Sequence, residues 1–316
     1  MQKIAPAHKR DAFSSFHPTI TLIYFSAVIG FSMFFLHPVF LVISLACSLT
    51  YALHLNGKKA IRLGLIYMLP MLIFTAALNP LFNHQGGTIL TYLPNGNPIT
   101  LESTAYGIAA ATMLITVITW FSCLNAVMES DKIVYLFGRV IPALSLILSM
   151  CLRFVPRFSA QARLISNAQK CIGRDLTNGS ILQKSKHGIK ILSILVTWAL
   201  ENSIETADSM KARGYGLPGR TAFSIYKFCK RDAAAAAYIT SCATAVLVGA
   251  ATGAYRFRYF PTIQGEWIGL GSIAVFAAYF ALAAFPIIVN VKEGLAWKRI
   301  ESKTSHLHTR AAKNLH

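Results

Sequence analysis

Apolar residues run in long blocks along this chain, and the blocks have helical length. Six stretches read as membrane spans, at roughly 19–35, 38–55, 61–79, 103–127, 234–254 and 267–290, because about 20 mostly apolar residues cross the hydrocarbon core of a bilayer. The first two stand back to back, split at His37-Pro38. They read as a retained helical hairpin, since a cleavable leader has a shorter apolar core and a small-residue cleavage site. The stretch Gly86–Thr100 alternates apolar and polar residues and turns through Asn95-Gly96, which predicts a small extracellular β-hairpin or plug.

The pattern changes between the fourth and fifth spans. Region 129–232 holds the apolar run Ile141–Leu152, then RFVPRFSAQARLISNAQKCIGRD, a Gly/Ser/Asn linker at Leu176–Ser180, and a second helix, KHGIKILSILVTWALENSIETADSMKARGYG. In that second helix Ile189, Leu192, Leu195, Trp198 and Ala199 recur at helical spacing, while Glu201, Glu205, Asp208 and Ala212 share the opposite part of the surface. These are amphipathic helices with a polar side toward the cytoplasm. The chain divides into a membrane domain (1–128, with the outer hairpin 86–100), a cytoplasmic helical domain (129–232), two further spans (233–290) and a basic tail (291–316). The fold class is all-α: a polytopic membrane protein of about six transmembrane helices plus a cytoplasmic domain of long amphipathic helices.

The two amphipathic helices end alike. Gln169–Asp175 reads QKCIGRD and Met210–Gly216 reads MKARGYG; aligned on Lys170 and Lys211, Cys171 meets Ala212, Ile172 meets Arg213 and Gly173 meets Gly214. A cation near the last turn and a glycine after it is also ordinary helix capping.

Composition sharpens the class. The 316 residues are 54% hydrophobic and 13% charged, against about 25% charged in soluble domains, and the mean hydropathy is +0.51. The net charge of +18 follows the loops, as the positive-inside rule requires. Lys3, Lys9 and Arg10, then Lys58, Lys59 and Arg62, then Lys292, Lys298, Arg299, Lys303, Arg310 and Lys313 place both termini and the 56–60 loop in the cytoplasm, whereas loop 80–102 carries only Glu102. Arg256 and Arg258 fall on the outer side and break the rule. The charge therefore gives no reason to invoke nucleic acid. The six cysteines form no CxxC pair, so neither a disulfide framework nor a zinc site is expected.

Together, RFVPRFSAQARLISNAQKCIG and ETADSMKARGYG resemble the transmembrane T component of energy-coupling-factor transporters, the family that includes the cobalt-transport permease. Arg153-Phe154-Val155-Pro156 and Lys230–Asp232 fit the same pattern, and the resemblance covers roughly residues 13–255. It implies two cytoplasmic coupling helices, each ending in an Ala-Arg-Gly-type signature. The second is intact as Ala212-Arg213-Gly214; the first has Ile172 in place of Arg, with Gly173 next and Arg174 two residues on. Either Arg174 takes the arginine's role or that site works without one.

The resemblance further implies a non-catalytic subunit of the plasma membrane that binds no cofactor or metal itself. ATP would be used by two cytoplasmic ATPases of the ATP-binding-cassette class, and a separate membrane protein, the S component, would capture a vitamin or transition-metal ion. The chain has no G-x-x-x-x-G-K-[ST] loop of its own. Ala212, Arg213 and Gly214 are the expected contacts to one ATPase; Cys171, Ile172, Gly173 and Arg174 are those to the other. Arg153 and Arg157, flanking Pro156, would pair with Glu201 or Glu205 or reach the headgroup level, and Glu201, Glu205 and Asp208 form a solvated or bracing face. The rival readings are a self-contained permease and an intramembrane enzyme. Both need ionisable residues within the spans, and the spans hold almost none.

Overall fold

The computed structural model describes residues 11–57, 64–92, 96–173, 180–215, 217, 226–265 and 269–313. In chain order the helices are α1 (Pro18–Phe34), α2 (Pro38–Asn56), α3 (Leu69–Phe82, entered through a π-helical turn Gly64–Met68), α4 (Leu101–Val127), α5 (Ser130–Val140), α6 (Pro142–Cys171), α7 (Ile181–Ala212), α8 (Lys230–Thr252) and α9 (Leu270–Lys313). A short 3-10 turn (Phe13–Ser15) and two small hairpins, β1 (Ile89–Tyr92) with β2 (Pro98–Thr100) and β3 (Phe257–Arg258) with β4 (Gln264–Gly265), complete the described elements. The chain forms two compact units, residues 130–225 and the remainder.

The larger unit is the membrane bundle. α2, α4, α8 and the Gly271–Trp297 part of α9 are long and apolar enough to cross a membrane; α1 and Ile66–Phe82 are apolar but shorter. The described parts of all six expected spans are thus helical. Two histidines explain how the first pair starts. His17 and His37 each precede a proline at the first helical position, and each uses its Nδ1 to accept the N–H two residues on, from Thr19 at 3.3 Å and Val39 at 3.2 Å. Proline loses no hydrogen bond there, and the imidazole satisfies an amide that the helix leaves unpaired.

The bundle core is aromatic. Phe13, Tyr24, Phe25, Phe40, Tyr51, Trp120 and Tyr279 are fully buried. Trp120 and Tyr279 join two serines in one polar knot: Ser44 Oγ accepts Trp120 Nε1–H at 2.9 Å and lies 2.7 Å from Ser32 Oγ, which lies 3.1 Å from the Tyr279 hydroxyl. This ties α1, α2, α4 and α9 together where water cannot compete. At Gly107 a Cβ would come within 2.6 Å of the Ala76 carbonyl oxygen, so glycine allows α3 and α4 to touch backbone to backbone.

One end of the bundle is closed by loops. The β1–β2 hairpin forms at the expected place, with Ile89 opposite Thr100 and Tyr92 opposite Pro98. The Gly87 amide donates to the Pro261 carbonyl at 3.1 Å, Tyr106 packs on Tyr259 at 5.5 Å, and the Tyr259 hydroxyl donates to the Leu36 carbonyl at 2.8 Å. The loop bearing Arg256 and Arg258 therefore sits at the same end as the 86–100 hairpin and the turn at 35–37. The β3–β4 pairing was not legible in the sequence pattern, because two residues per strand leave no periodicity to read.

The other end is closed by the segment 11–17. Ala12 N–H donates to Asn290 Oδ1 at 2.7 Å, the Asn290 amide donates to Asp11, and the Tyr51 hydroxyl donates to Asp11 Oδ2 at 2.9 Å. Asp232, in the first turn of α8, accepts from Cys229 N–H at 2.9 Å and His17 N–H at 3.4 Å. Arg231 reaches Ser15 Oγ at 2.9 Å and lies 4.3 Å above the Phe16 ring. These contacts give the Lys230–Asp232 stretch a local role, as a helix start that grips the N-terminal segment.

The smaller unit contains α5, α6 and α7. The apolar run Ile141–Leu152 and the segment after it belong to one element: α6 is a single helix of 30 residues that passes through Pro156. α7 starts at Ile181, several residues before Lys186, where Ser180 and Gln183 form a capping box. Most of the linker at 176–180 lies outside the described residues.

Candidate functional site

The helical hairpin α6–α7 and the turns that end it carry every described site residue that the sequence singles out. Its crossing is aromatic. Phe154 stacks on Phe158 at 5.7 Å, Phe158 meets the Trp198 ring edge-on at 5.6 Å, and the Arg157 guanidinium lies 5.7 Å from the Trp198 centroid. Arg157 thus rests beside an aromatic face while staying exposed to solvent. Among the described residues neither Arg153 nor Arg157 forms an ion pair with Glu201 or Glu205. Glu201, Glu205 and Asp208 are all exposed.

The buried side of α7 is only partly the one expected. Ile191 is buried, and Leu195, Trp198, Ala199, Asn202, Thr206 and Met210 are half-buried. Ile189 and Leu192, expected on that face, are exposed. They continue instead into a second apolar stripe with Val196, Leu200 and Ile204, all exposed, at steps of three and four. Ile181, 85% exposed, and Leu182 extend the exposed apolar surface toward the start of the helix. The spacing of this stripe was present in the sequence. It was hidden because a helix apolar on two faces gives one blurred period.

The two helix ends share one geometry. At the end of α7, Gly214 takes φ +79°, its N–H donates to Lys211 O at 2.9 Å, and Tyr215 N–H donates to Met210 O at 3.0 Å. At the end of α6, Gly173 takes φ +76° and its N–H donates to Lys170 O at 3.0 Å. Both are left-handed glycine stops, and α7 shows the paired bonds of the Schellman motif in full. Ile172 and Arg213 are the last residues before those glycines, each at its helix C-cap. Ile172 is 62% exposed and Arg213 is exposed. Cys171 and Ala212, one position earlier, are exposed too. Arg174 lies outside the described residues, as do Gly216 and Pro218.

The ends are far apart. Arg213 lines a groove with Leu146 near the start of α6, whereas Cys171 closes the same helix about 37 Å away at ~1.5 Å of rise per residue. The groove, about 1040 Å³, runs between α6 and the C-terminal half of α7 and is lined by Arg153, Arg157 and Glu205 as well as Arg213. The unit therefore presents Ile172 and Arg213 at opposite ends of a hairpin, with an apolar stripe between them.

Comparison with known proteins follows the same residues. The model of the family described as "Cobalt transport protein" (CbiQ) matches residues 12–223. The energy-coupling factor transporter transmembrane protein EcfT of Lactobacillus helveticus is 28% identical over 177 residues, 53% of this chain and 64% of that protein. Its namesake from Lacticaseibacillus paracasei is 31% identical over 177 residues, 52% of this chain and 66% of its own length. The one from Listeria innocua is 30% identical over 207 residues, 57% and 76% of the two chains. The chain thus spans just under two thirds of the first two relatives.

Proposed function

The chain belongs to the CbiQ family of cobalt transport proteins, and from that membership we propose that it is the transmembrane energy-coupling subunit of an energy-coupling-factor importer. The matched pair of glycine-stopped tips at opposite ends of one hairpin carries the proposal. Each tip docks on one of two cytoplasmic ATPases of the ATP-binding-cassette class. The exposed stripe from Ile189 to Ile204 receives the membrane-embedded S component, which captures a vitamin or a transition-metal ion. The chain itself is not an enzyme; ATP is bound and hydrolysed by its partners. It is a multi-pass plasma-membrane protein with both termini in the cytoplasm.

The mechanism follows from stiffness. Helices of 30 and 32 residues, clamped at Trp198, transmit a displacement of either tip along the whole hairpin. When ATP draws the ATPases together, the tips follow and the apolar stripe between them reorients. Arg213 offers a planar fork of donors to carboxylates or carbonyls, and Gly214 lets the chain turn away at once. Ile172 stands where Arg213 stands at the other tip, so the two docking contacts differ at that position.

Co-purification from solubilised membranes tests this reading. Wild type brings down ATP-binding-cassette ATPases and a small membrane protein, and Arg213→Glu loses ATPase by more than tenfold, since a buried arginine hot spot contributes about 2 kcal/mol or more. A wild-type chain that purifies alone refutes the assignment.

A further inference from the structure

The groove beside the second tip has a composition that docking alone does not explain. Arg153 and Arg157 sit one turn apart on α6 and share the groove with Arg213. Among the described residues lining it, Glu205 is the only carboxylate. Three guanidinium groups against one carboxylate leave the groove strongly cationic. The α6 wall and Met210 add an apolar strip of Leu146, Met150 and Phe154, while Asn202, Thr206 and Ser209 of α7 line the groove with neutral polar groups. The adjoining outer face of α6 is apolar as well, with Ile147 58% and Val155 63% exposed. Exposed apolar surface of this kind marks contact with lipid or protein.

We propose that this groove binds one anionic phospholipid, with its phosphate held by Arg153 and Arg157 and its acyl chains against Leu146, Met150 and Met210. A guanidinium matches a phosphate through two parallel hydrogen bonds, which an ammonium cannot reproduce. A free phosphate would satisfy the arginines and leave the apolar wall in water; a phospholipid covers both. A zwitterionic lipid brings a cationic headgroup that the arginines repel. The site needs no ATPase or S component, so it stands or falls separately from the proposed function.

The test is native mass spectrometry of the full chain in neutral detergent, titrated with phosphatidylglycerol, phosphatidylcholine or inorganic phosphate. Wild type retains one phosphatidylglycerol and prefers it over phosphatidylcholine. The pair Arg153→Gln/Arg157→Gln weakens that binding about twenty-fivefold, from about fivefold per arginine at an anionic headgroup. Arg153→Lys/Arg157→Lys keeps the charge and lies between the two, so a folded but fork-less groove is tested as well. Arg231→Gln, in the membrane bundle, leaves the lipid count unchanged. Equal retention of both lipids, or an undiminished preference in the glutamine pair, overturns the site. Inorganic phosphate binding as tightly as phosphatidylglycerol overturns the lipid and leaves a simple anion site. Binding lost equally in Arg231→Gln reduces it to general surface charge and overturns it too.

Discussion

Gly173 and Gly214 do the same backbone work in different surroundings. Both sit at positive φ, but a Cβ on Gly214 would meet Leu217 Cδ1 at 3.1 Å, whereas one on Gly173 would meet nothing within 4 Å. Left-handed backbone costs a β-carbon about 1–2 kcal/mol. Gly173→Ala should therefore raise hydrogen exchange in the last turn of α6 about fivefold, as ~1 kcal/mol predicts. Gly214→Ala should do more at the end of α7, because a contact must also give. Equal effects at the two sites would mean that Leu217 moves aside freely. At this scale the sequence was informative: a Lys three residues before a Gly, closing a helix, was visible twice. It could not show that Ile172 and Arg213 occupy the same capping position, which required the backbone bonds to Lys170 and Lys211.

The elements are held by few, specific contacts. Trp198 is half-buried and is the one ring that both Phe158 and Arg157 touch at the crossing. Trp198→Ala should lower the stability of the hairpin by about 2 kcal/mol, below the 3–5 of a fully buried aromatic. A double-mutant cycle with Arg157→Ala should return a coupling of about 0.5–1 kcal/mol. A coupling of zero would mean that Arg157 gains nothing from the ring. In the membrane bundle, Asn290→Ala removes both the acceptor of Ala12 N–H and the amide donor to Asp11. It should free residues 11–17, read as faster exchange and proteolysis there, while α4 stays protected. The spans themselves were legible, since a run of apolar residues long enough to cross a bilayer leaves few alternatives. That Ile141–Leu152 and the polar segment after it form one helix was not legible. Pro156 and the change from apolar to polar residues leave the continuity open, and a helix can pass a proline where neighbours satisfy the freed carbonyl.

For the whole molecule, sequence and structure divide the labour unevenly. Polarity alone separates a bilayer-spanning bundle from an amphipathic hairpin. Which faces of the hairpin are free is a matter of packing: α7 is apolar on two sides, and only contact with α6 decides that Ile191 and Trp198 turn inward while Leu192 and Leu200 stay outside. The sequence also left the opposite placement of the tips unstated, because the α6–α7 turn could have led α7 in any direction. That placement is the centre of the account, since a hairpin with tips at its two ends can report on two ATPases at once.

Photo-crosslinking tests it most directly. A photoreactive amino acid is placed at Ile172 in one preparation and at Arg213 in another, both in the assembled complex in native membranes. The account predicts that each position captures an ATP-binding-cassette ATPase, and that ATP changes the yield at both. Capture at one tip only, or capture of neither ATPase, would contradict it.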